Sequence, residues 1–312
     1  MLRRSVRSLV ALLVLAWLAA GCAPKRAAAP ATQGAAPPST ALLWRVTHGG
    51  NTSYLFGTIH LDLDVERILG VEGHRLLATS RALYVEMDLS NTARTRELGA
   101  TAARAGRLPP GESLQRMLSP AEWAELQRMM PNTPPAALDR LEPWIAALST
   151  IQAIAARSDA SPAAPGASRK PPMDVVLVQD ARARGIPVFE LDSMQQQLTA
   201  FTSMPRPMAV DMLRELLGSP DGAGRELRDI VQAYGSPNAE QQLAAVVGAM
   251  ARRTPTFTDY LLFRRSRRWA DVLERPLRSG GVFVAVGAGH LVGPQGLPAL
   301  LRSRGFKVER VR

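Results

Sequence analysis

Cysteine, lysine, histidine and aromatic residues are all scarce in this chain. Its 312 residues hold one cysteine, four histidines and 5% Phe, Trp and Tyr together, with lysine only at Lys25, Lys170 and Lys307. A lone Cys22 excludes an intrachain disulfide. The net charge of +11 is therefore almost entirely arginine, and Arg3, Arg4 and Arg7 would leave with a cleaved leader. With no basic run interleaved with aromatics, that charge does not indicate a nucleic-acid surface. A membrane-spanning run is missing too: the apolar stretch Leu9 to Ala20 is too short to cross a bilayer comfortably.

What is present at the start is a basic head, that apolar stretch and a small-residue exit, Leu18-Ala19-Ala20-Gly21-Cys22, the pattern of a secretory signal over residues 1–22. The exit resembles a bacterial lipobox, which implies cleavage before Cys22 and a lipid on it. By the same resemblance Ala23 implies an outer-membrane anchor facing the periplasm. Residues 23–40, rich in Ala and Pro, read as a flexible tether. The remaining 41–312 is long enough for one domain with a substantial core.

Along that domain, apolar runs at Leu42–Val46 and Ser53–Phe56 flank His48-Gly49-Gly50-Asn51, a hairpin signal. A helix is expected over Val65–Ser80, with Ile68, Val71, Leu76 and Leu77 at helical spacing, and a short strand over Ala82–Val85. Helical text runs from Thr92 to about Arg157, where Ser119-Pro120-Ala121-Glu122 has the composition of a helix start. Ser158–Pro172 reads as an exposed loop, Met173–Arg184 as a helix and Pro187–Leu191 as a strand. More helical text follows to about Glu274, then strand, helix and strand at Val282–Val286, Gly296–Arg304 and Phe306–Val311. Strands separated by helices predict an α/β fold with a mostly parallel, split sheet and a helical insertion over about 92–278.

Two of the four histidines occur in the same setting. Gly57-Thr58-Ile59-His60 follows the apolar Tyr54-Leu55-Phe56, and Gly287-Ala288-Gly289-His290 follows Val282–Val286. The glycines are expected to let the backbone turn sharply with φ values other residues avoid. His60, Glu86, Asp192 and His290 each follow a strand on its carboxyl side, where ligands bind in parallel α/β sheets. Two imidazoles and two carboxylates meeting there would suit a divalent transition ion, with zinc, manganese, iron and cobalt all compatible. Asp88 and Asp62 are weaker candidates for the same cleft, and Asp174 reads as a helix cap. His48 and His74 read as structural residues.

Thr52 to Leu61, Tyr84 to Leu89 and the tail Val284 to Gly293 with Gly296-Leu297 and Leu300-Leu301 resemble the motif blocks of the TraB/PrgY/GumN family, a wider group that includes the animal Tiki proteins. The resemblance implies a fold similar to erythromycin-esterase-like and ChaN-like proteins. It also implies a metal-dependent peptidase using both Gly-x-x-His histidines with acidic residues. Some bacterial members are linked to peptide-pheromone inhibition. On this basis His60, Glu86, Asp192 and His290 are metal-ligand candidates, Glu86 is also a general-base candidate, and Arg265 is a clamp for developing negative charge. The chain departs from the family pattern at Leu191-Asp192-Ser193, where Leu-Glu-Thr is usual, and at Arg264-Arg265-Ser266, where Glu and Asn flank the arginine. A peptide or protein is the expected substrate or partner. The alternatives are a non-catalytic peptide- or partner-binding lipoprotein and a ChaN-like haem- or iron-binding one.

Overall fold

Alternating strands and helices give one mixed six-stranded sheet wrapped by helices. The computed structural model describes residues 42–59, 65–157 and 171–311. The leader-like segment with Cys22, the tether, His60, Asp62 and residues 158–170 of the expected loop lie outside the described residues. Among the described residues no helix is long and apolar enough to cross a membrane.

The described residues open with the expected hairpin, β1 (Leu43–His48) and β2 (Asn51–Thr58), paired antiparallel. Gly49 (φ 54°) and Gly50 (φ 82°) make its turn, in backbone conformations that side chains with a Cβ rarely adopt. Helix α1 (Val65–Ala78) is broken at Gly70 (φ 66°), so the apolar register assumed there fails and Val71 faces solvent. Strand β3 (Ala82–Val85) follows. The chain then passes through helices α2 (Thr92–Ala105), α3 (Pro120–Met129), α4 (Pro135–Leu138), α5 (Pro143–Arg157) and α6 (Met173–Ala183). Helix α3 starts at the expected place: Ser119 Oγ accepts from the Glu122 amide, and the Glu122 carboxylate accepts from the Ser119 amide.

After strand β4 (Val188–Glu190) come α7 (Met194–Thr202), α8 (Arg206–Gly218), α9 (Pro220–Tyr234), α10 (Ala239–Arg253) and α11 (Pro255–Thr258). A π-helical stretch, Asp259–Phe263, then leads into α12 (Arg264–Ser279). Gly280 (φ 74°) stops α12, and β5 (Val282–Gly287), a 3-10 turn Ala288–His290, α13 (Leu297–Ser303) and β6 (Lys307–Arg310) complete the chain.

The strand order is β4-β3-β5-β2-β1-β6. Strands β4, β3, β5 and β2 are parallel, whereas β1 runs antiparallel to both of its neighbours. The sheet is thus parallel where chemistry was expected and mixed at the hairpin end. β5 lies near its middle with all six residues buried, which explains its unbroken apolar text. Helix α12 packs across β1 and β2, while α6 packs against β3 and β4. The inward stripe of α12 is Arg265, Ser266, Trp269, Ala270, Leu273 and Leu277, apolar except in its first turn.

Candidate functional site

Parallel pairing brings the two Gly-x-x-His segments side by side. Gly57 is the partner of Val286 and Thr58 of Gly287, so the motifs leave adjacent strands one residue out of step. Gly57 does not have positive φ, contrary to the turning role expected of it. Its requirement is space: a Cβ there would meet Leu42 Cβ at 3.1 Å and Ala288 Cα and Cβ at 3.3 Å. The first motif's glycine therefore packs directly on the second motif. Helices fasten this junction from outside the sheet. Tyr234 Oη donates to the Gly57 carbonyl at 2.5 Å, and Thr58 Oγ1 donates to Asp174 at 2.8 Å. Burial pushes the Tyr234 phenol far above its ordinary range, so it stays a neutral donor. Asp174 lies in the first turn of α6 and takes Thr58 as its partner, while Pro172 holds the cap position that Asp174 was expected to fill.

At the carboxyl ends of β3 and β4 the pairing continues for two more residues, with Leu191 N donating to Val85 O and Asp192 N to Glu86 O, both at 2.9 Å. This sets Glu86 and Asp192 next to each other. Ser193 takes over the capping of α7, exchanging bonds with Gln196, and leaves Asp192 to point inward. Between the two acids lies Arg265. Its Nε donates to Asp192 Oδ2 at 2.7 Å, its Nη2 donates to Glu86 Oε2, and its Nη1 donates to the Leu261 carbonyl at 3.2 Å. The Leu261 carbonyl belongs to the π-helical stretch, a distortion often found at functional sites. Burial of Arg265 would by itself lower its pKa, but the charges of Glu86 and Asp192 outweigh that and hold it above its usual value.

Asp192 collects three further donors: Gln197 Nε2 at 3.1 Å, Trp269 Nε1 at 2.6 Å, and Arg268 Nη2. A carboxylate offers roughly four lone-pair sites, so these four donors saturate it. Glu86 accepts differently: Oε1 takes the Gly287 amide at 2.7 Å and lies 3.8 Å from His290 Nε2. The other ring nitrogen, His290 Nδ1, is 2.9 Å from Ser266 Oγ, and the indole of Trp269 covers the ring at a centroid distance of 4.3 Å. Arg265 is 2% exposed, Asp192 2% and His290 0%, so the cluster is dry.

Of the side chains expected to share an ion, Glu86, Asp192 and His290 converge, and His60 lies outside the described residues. The donor chemistry does not treat the three alike. Glu86 Oε1 and His290 Nε2 face each other at 3.8 Å, whereas Asp192 is already bonded to Arg265, Arg268, Trp269 and Gln197. Among the described residues no group of three or more His, Cys, Asp and Glu is arranged to hold a metal. Asp88 does not join the cluster; it accepts from Ser90 and Arg182. His48 accepts from Arg278 at the hairpin, and His74 pairs with Glu66, both away from the site. A surface dish of about 600 Å³ lined by Glu112, Ser113, Gln115, Arg116 and Asp139 is formed by other residues altogether.

Trp269, Arg268 and Ser266 were not singled out as site residues by sequence reasoning, although a signal existed. Arg265, Trp269, Leu273 and Leu277 recur every four residues, which marks Arg265 as the start of a buried stripe, while Arg264 and Arg267 beside it face solvent.

A model of the TraB/PrgY/gumN family matches residues 42–310. The chain is 25% identical over 256 residues to the uncharacterized protein YbaP of Shigella flexneri, covering 81% of this chain and 89% of that one. It is 25% identical over 260 residues to YbaP of Escherichia coli K12, covering 82% and 90%. An uncharacterized protein of Treponema pallidum is 26% identical over 286 residues, covering 84% and 80%. No solved structure matches the chain.

Proposed function

This chain belongs to the TraB/PrgY/gumN family, and from that premise we propose that it is a metal-dependent hydrolase acting on peptides, held at a membrane by a lipid on Cys22. We take its fold to be of the erythromycin-esterase-like and ChaN-like kind, a reading supported by the parallel strands that end in Glu86, Asp192 and His290. The observation that carries the functional reading is the meeting of Glu86 and His290, 3.8 Å apart and buried, at the carboxyl ends of the neighbouring strands β3 and β5.

In this reading Glu86 and His290, with His60 from outside the described residues, hold a divalent transition ion. When bound, such an ion supplies an acidified water as nucleophile. The chain's own residues do the rest. Arg265 fixes Glu86 through Oε2, which leaves Oε1 directed at His290 and the Gly287 amide. Asp192 serves as the anchor of Arg265 and Arg268, in place of the ligand role expected for it. Arg268, whose side chain is 34% exposed, links the buried acids to the surface and is suited to meet a peptide carboxylate or carbonyl oxygen.

The test is the metal content of the purified chain beside Glu86→Gln and His290→Ala, with peptide hydrolysis followed before and after chelation. The expected result is about one transition ion per chain, lost with activity in both variants. Parent protein that takes up no metal and matches both variants would falsify the proposal.

A second reading, a partner-binding protein without turnover, is favoured by the neutralisation of both acids by Arg265 and Arg268 in a dry cluster. It predicts peptide binding whose affinity is unchanged by chelator.

A further inference from the structure

Beyond the buried cluster, the same face of the sheet carries a strip left open to solvent. Side chains two apart on a strand share a face, so Tyr84 lies on the side from which Glu86 meets Arg265 of α12. Phe189 is its register partner on β4, and the two rings stack at 5.1 Å, so Phe189 lies on that side as well. Helix α6 packs on the opposite face, where its Asp174 takes Thr58. Helix α12 packs across β1 and β2 and is tied to β3 at both ends. Arg265 bonds Glu86 at one end. At the other, Arg81 Nε donates to the Gly280 carbonyl at 2.6 Å and Nη2 to the Pro276 carbonyl at 3.2 Å. Between those ties Tyr84 is half-buried and Phe189 is 47% exposed. Val272, also 47% exposed, stands one turn after Arg268 and two after Arg265, on the side of α12 that looks toward β3 and β4. Among the described residues three large apolar side chains are exposed, and two of them border this strip.

The borders of the strip are cationic. Arg275, exposed one turn after Val272, pairs with no acid among the described residues. Arg81 gives its hydrogen bonds to carbonyls, which leave its charge uncompensated. The acids of α12, Asp271 and Glu274, turn instead to Arg304, between α13 and β6 toward the opposite edge of the sheet. At the head of the strip Arg268 bonds Asp192 with a side chain 34% exposed. An aromatic floor, an aliphatic wall and a cationic border complement an extended peptide that carries apolar and acidic side chains. A helix standing over a bare sheet makes a step, which admits a chain better than a flat bilayer. We propose that this strip is a docking shelf for such an acidic-apolar peptide segment. Its apolar side chains rest on Tyr84, Phe189 and Val272, and its carboxylates meet Arg275 and Arg81. That the segment belongs to a substrate rests on the hydrolase reading, because a peptide on the shelf reaches the candidate site at Arg268. The docking itself needs no ion.

Fluorescence anisotropy of the purified full chain in chelator tests this with labelled octapeptides: alternating Val and Glu, the same with Lys for Glu, and the same with Ser for Val. The Val–Glu peptide should bind, and the other two about tenfold more weakly or worse. The double variant Phe189→Ser, Val272→Ser should weaken the Val–Glu peptide by about tenfold, as for losing part of the burial of two apolar side chains. Arg275→Glu should weaken it by about two- to fivefold, and more at low salt. Both apolar residues are about half exposed, so the variants should keep the fold, which circular dichroism checks. If the double variant does not fold, Arg275→Glu and the three peptides on the parent still decide. No binding of the Val–Glu peptide, equal binding of the Val–Lys one, or variants that bind like the parent overturns the shelf. So does a parent dimer that the double variant dissociates, which assigns the strip to a second copy. Parent binding to phosphatidylglycerol vesicles that the double variant loses assigns it to a membrane and overturns it too. Docking as expected on a chain that cleaves no peptide with metal supplied defeats the hydrolase reading alone. Cleavage by a chain whose peptide affinity ignores the variants defeats the shelf alone.

Discussion

Replacing Arg265 with methionine removes a cation shared by two buried acids, and the structure indicates what that should cost. The guanidinium makes three hydrogen bonds, to Asp192, Glu86 and the Leu261 carbonyl, and lies 4.7 Å from the centre of the Trp269 ring. Removing one partner of a buried ion pair costs about 3–5 kcal/mol, because the other charge is left behind without compensation. Two opposing details place Arg265→Met near the middle of that range. Among the described residues Asp192 keeps Arg268, Trp269 and Gln197, whereas Glu86 keeps the Gly287 amide, a long contact from Gln197 at 3.4 Å and His290 at 3.8 Å. A loss of about 4 kcal/mol in a domain of this size corresponds to a fall in Tm of roughly 8–16 °C. Calorimetry at neutral pH measures it, with urea unfolding as a check on ΔG. The origin in stranded charge is tested by the triple variant Arg265→Met, Glu86→Gln and Asp192→Asn, which should regain much of the loss because neither buried acid keeps a charge and Arg268, 34% exposed, is left facing solvent. An Arg265→Met protein within about 1 kcal/mol of the parent would refute the reasoning.

Three further perturbations probe the junction and the helix entry. Gly57→Ala should destabilise by about 1–3 kcal/mol in urea unfolding, since its Cβ must displace Leu42 or Ala288; a neutral result would mean the two motifs are not packed as described. Tyr234→Phe should cost about 1–2 kcal/mol by the same assay, because the Gly57 carbonyl loses a fully buried donor. Asp259 bonds Arg264 and Arg267 at the start of α12; burial alone would raise its pKa, but the two arginines hold it below the usual value. A depressed carboxylate contributes stability that is present above its unfolded value, about pH 4, and lost as the pH falls through the folded one. Asp259→Asn should therefore cost up to about 1 kcal/mol at pH 7 by thermal unfolding, with the difference shrinking as the pH falls below about 4, and a difference that does not shrink in acid would count against the pairing.

The local elements were legible because their signals are local. Gly49-Gly50 announced a hairpin, Ser119 to Glu122 a helix start, and the unbroken apolar text of Val282–Val286 a buried strand. Strand order was not legible, because the placing of β5 between β3 and β2 depends on packing among segments distant in the chain. The same holds for the site. Glu86 and His290 could be named from their positions after strands, but the four donors that occupy Asp192 come from α7 and α12, and no spacing within the 190s foretells them. Gly57 was identified as important for the wrong reason: the text reveals a residue without a side chain, while only the fold shows that the missing Cβ makes room for Ala288.

The sheet order also bears on how the molecule can be made. The strand that fills its middle is synthesised long after its neighbours: Val282 bonds to Ser53 across 229 residues of chain. Until then the hairpin has an open edge where β5 will dock, and β3 has no neighbour to join it to β2. A nascent chain therefore cannot assemble its sheet stepwise in order of synthesis, and folding must wait for β5, which favours slow refolding and makes truncation ahead of β5 far more damaging than the length removed suggests.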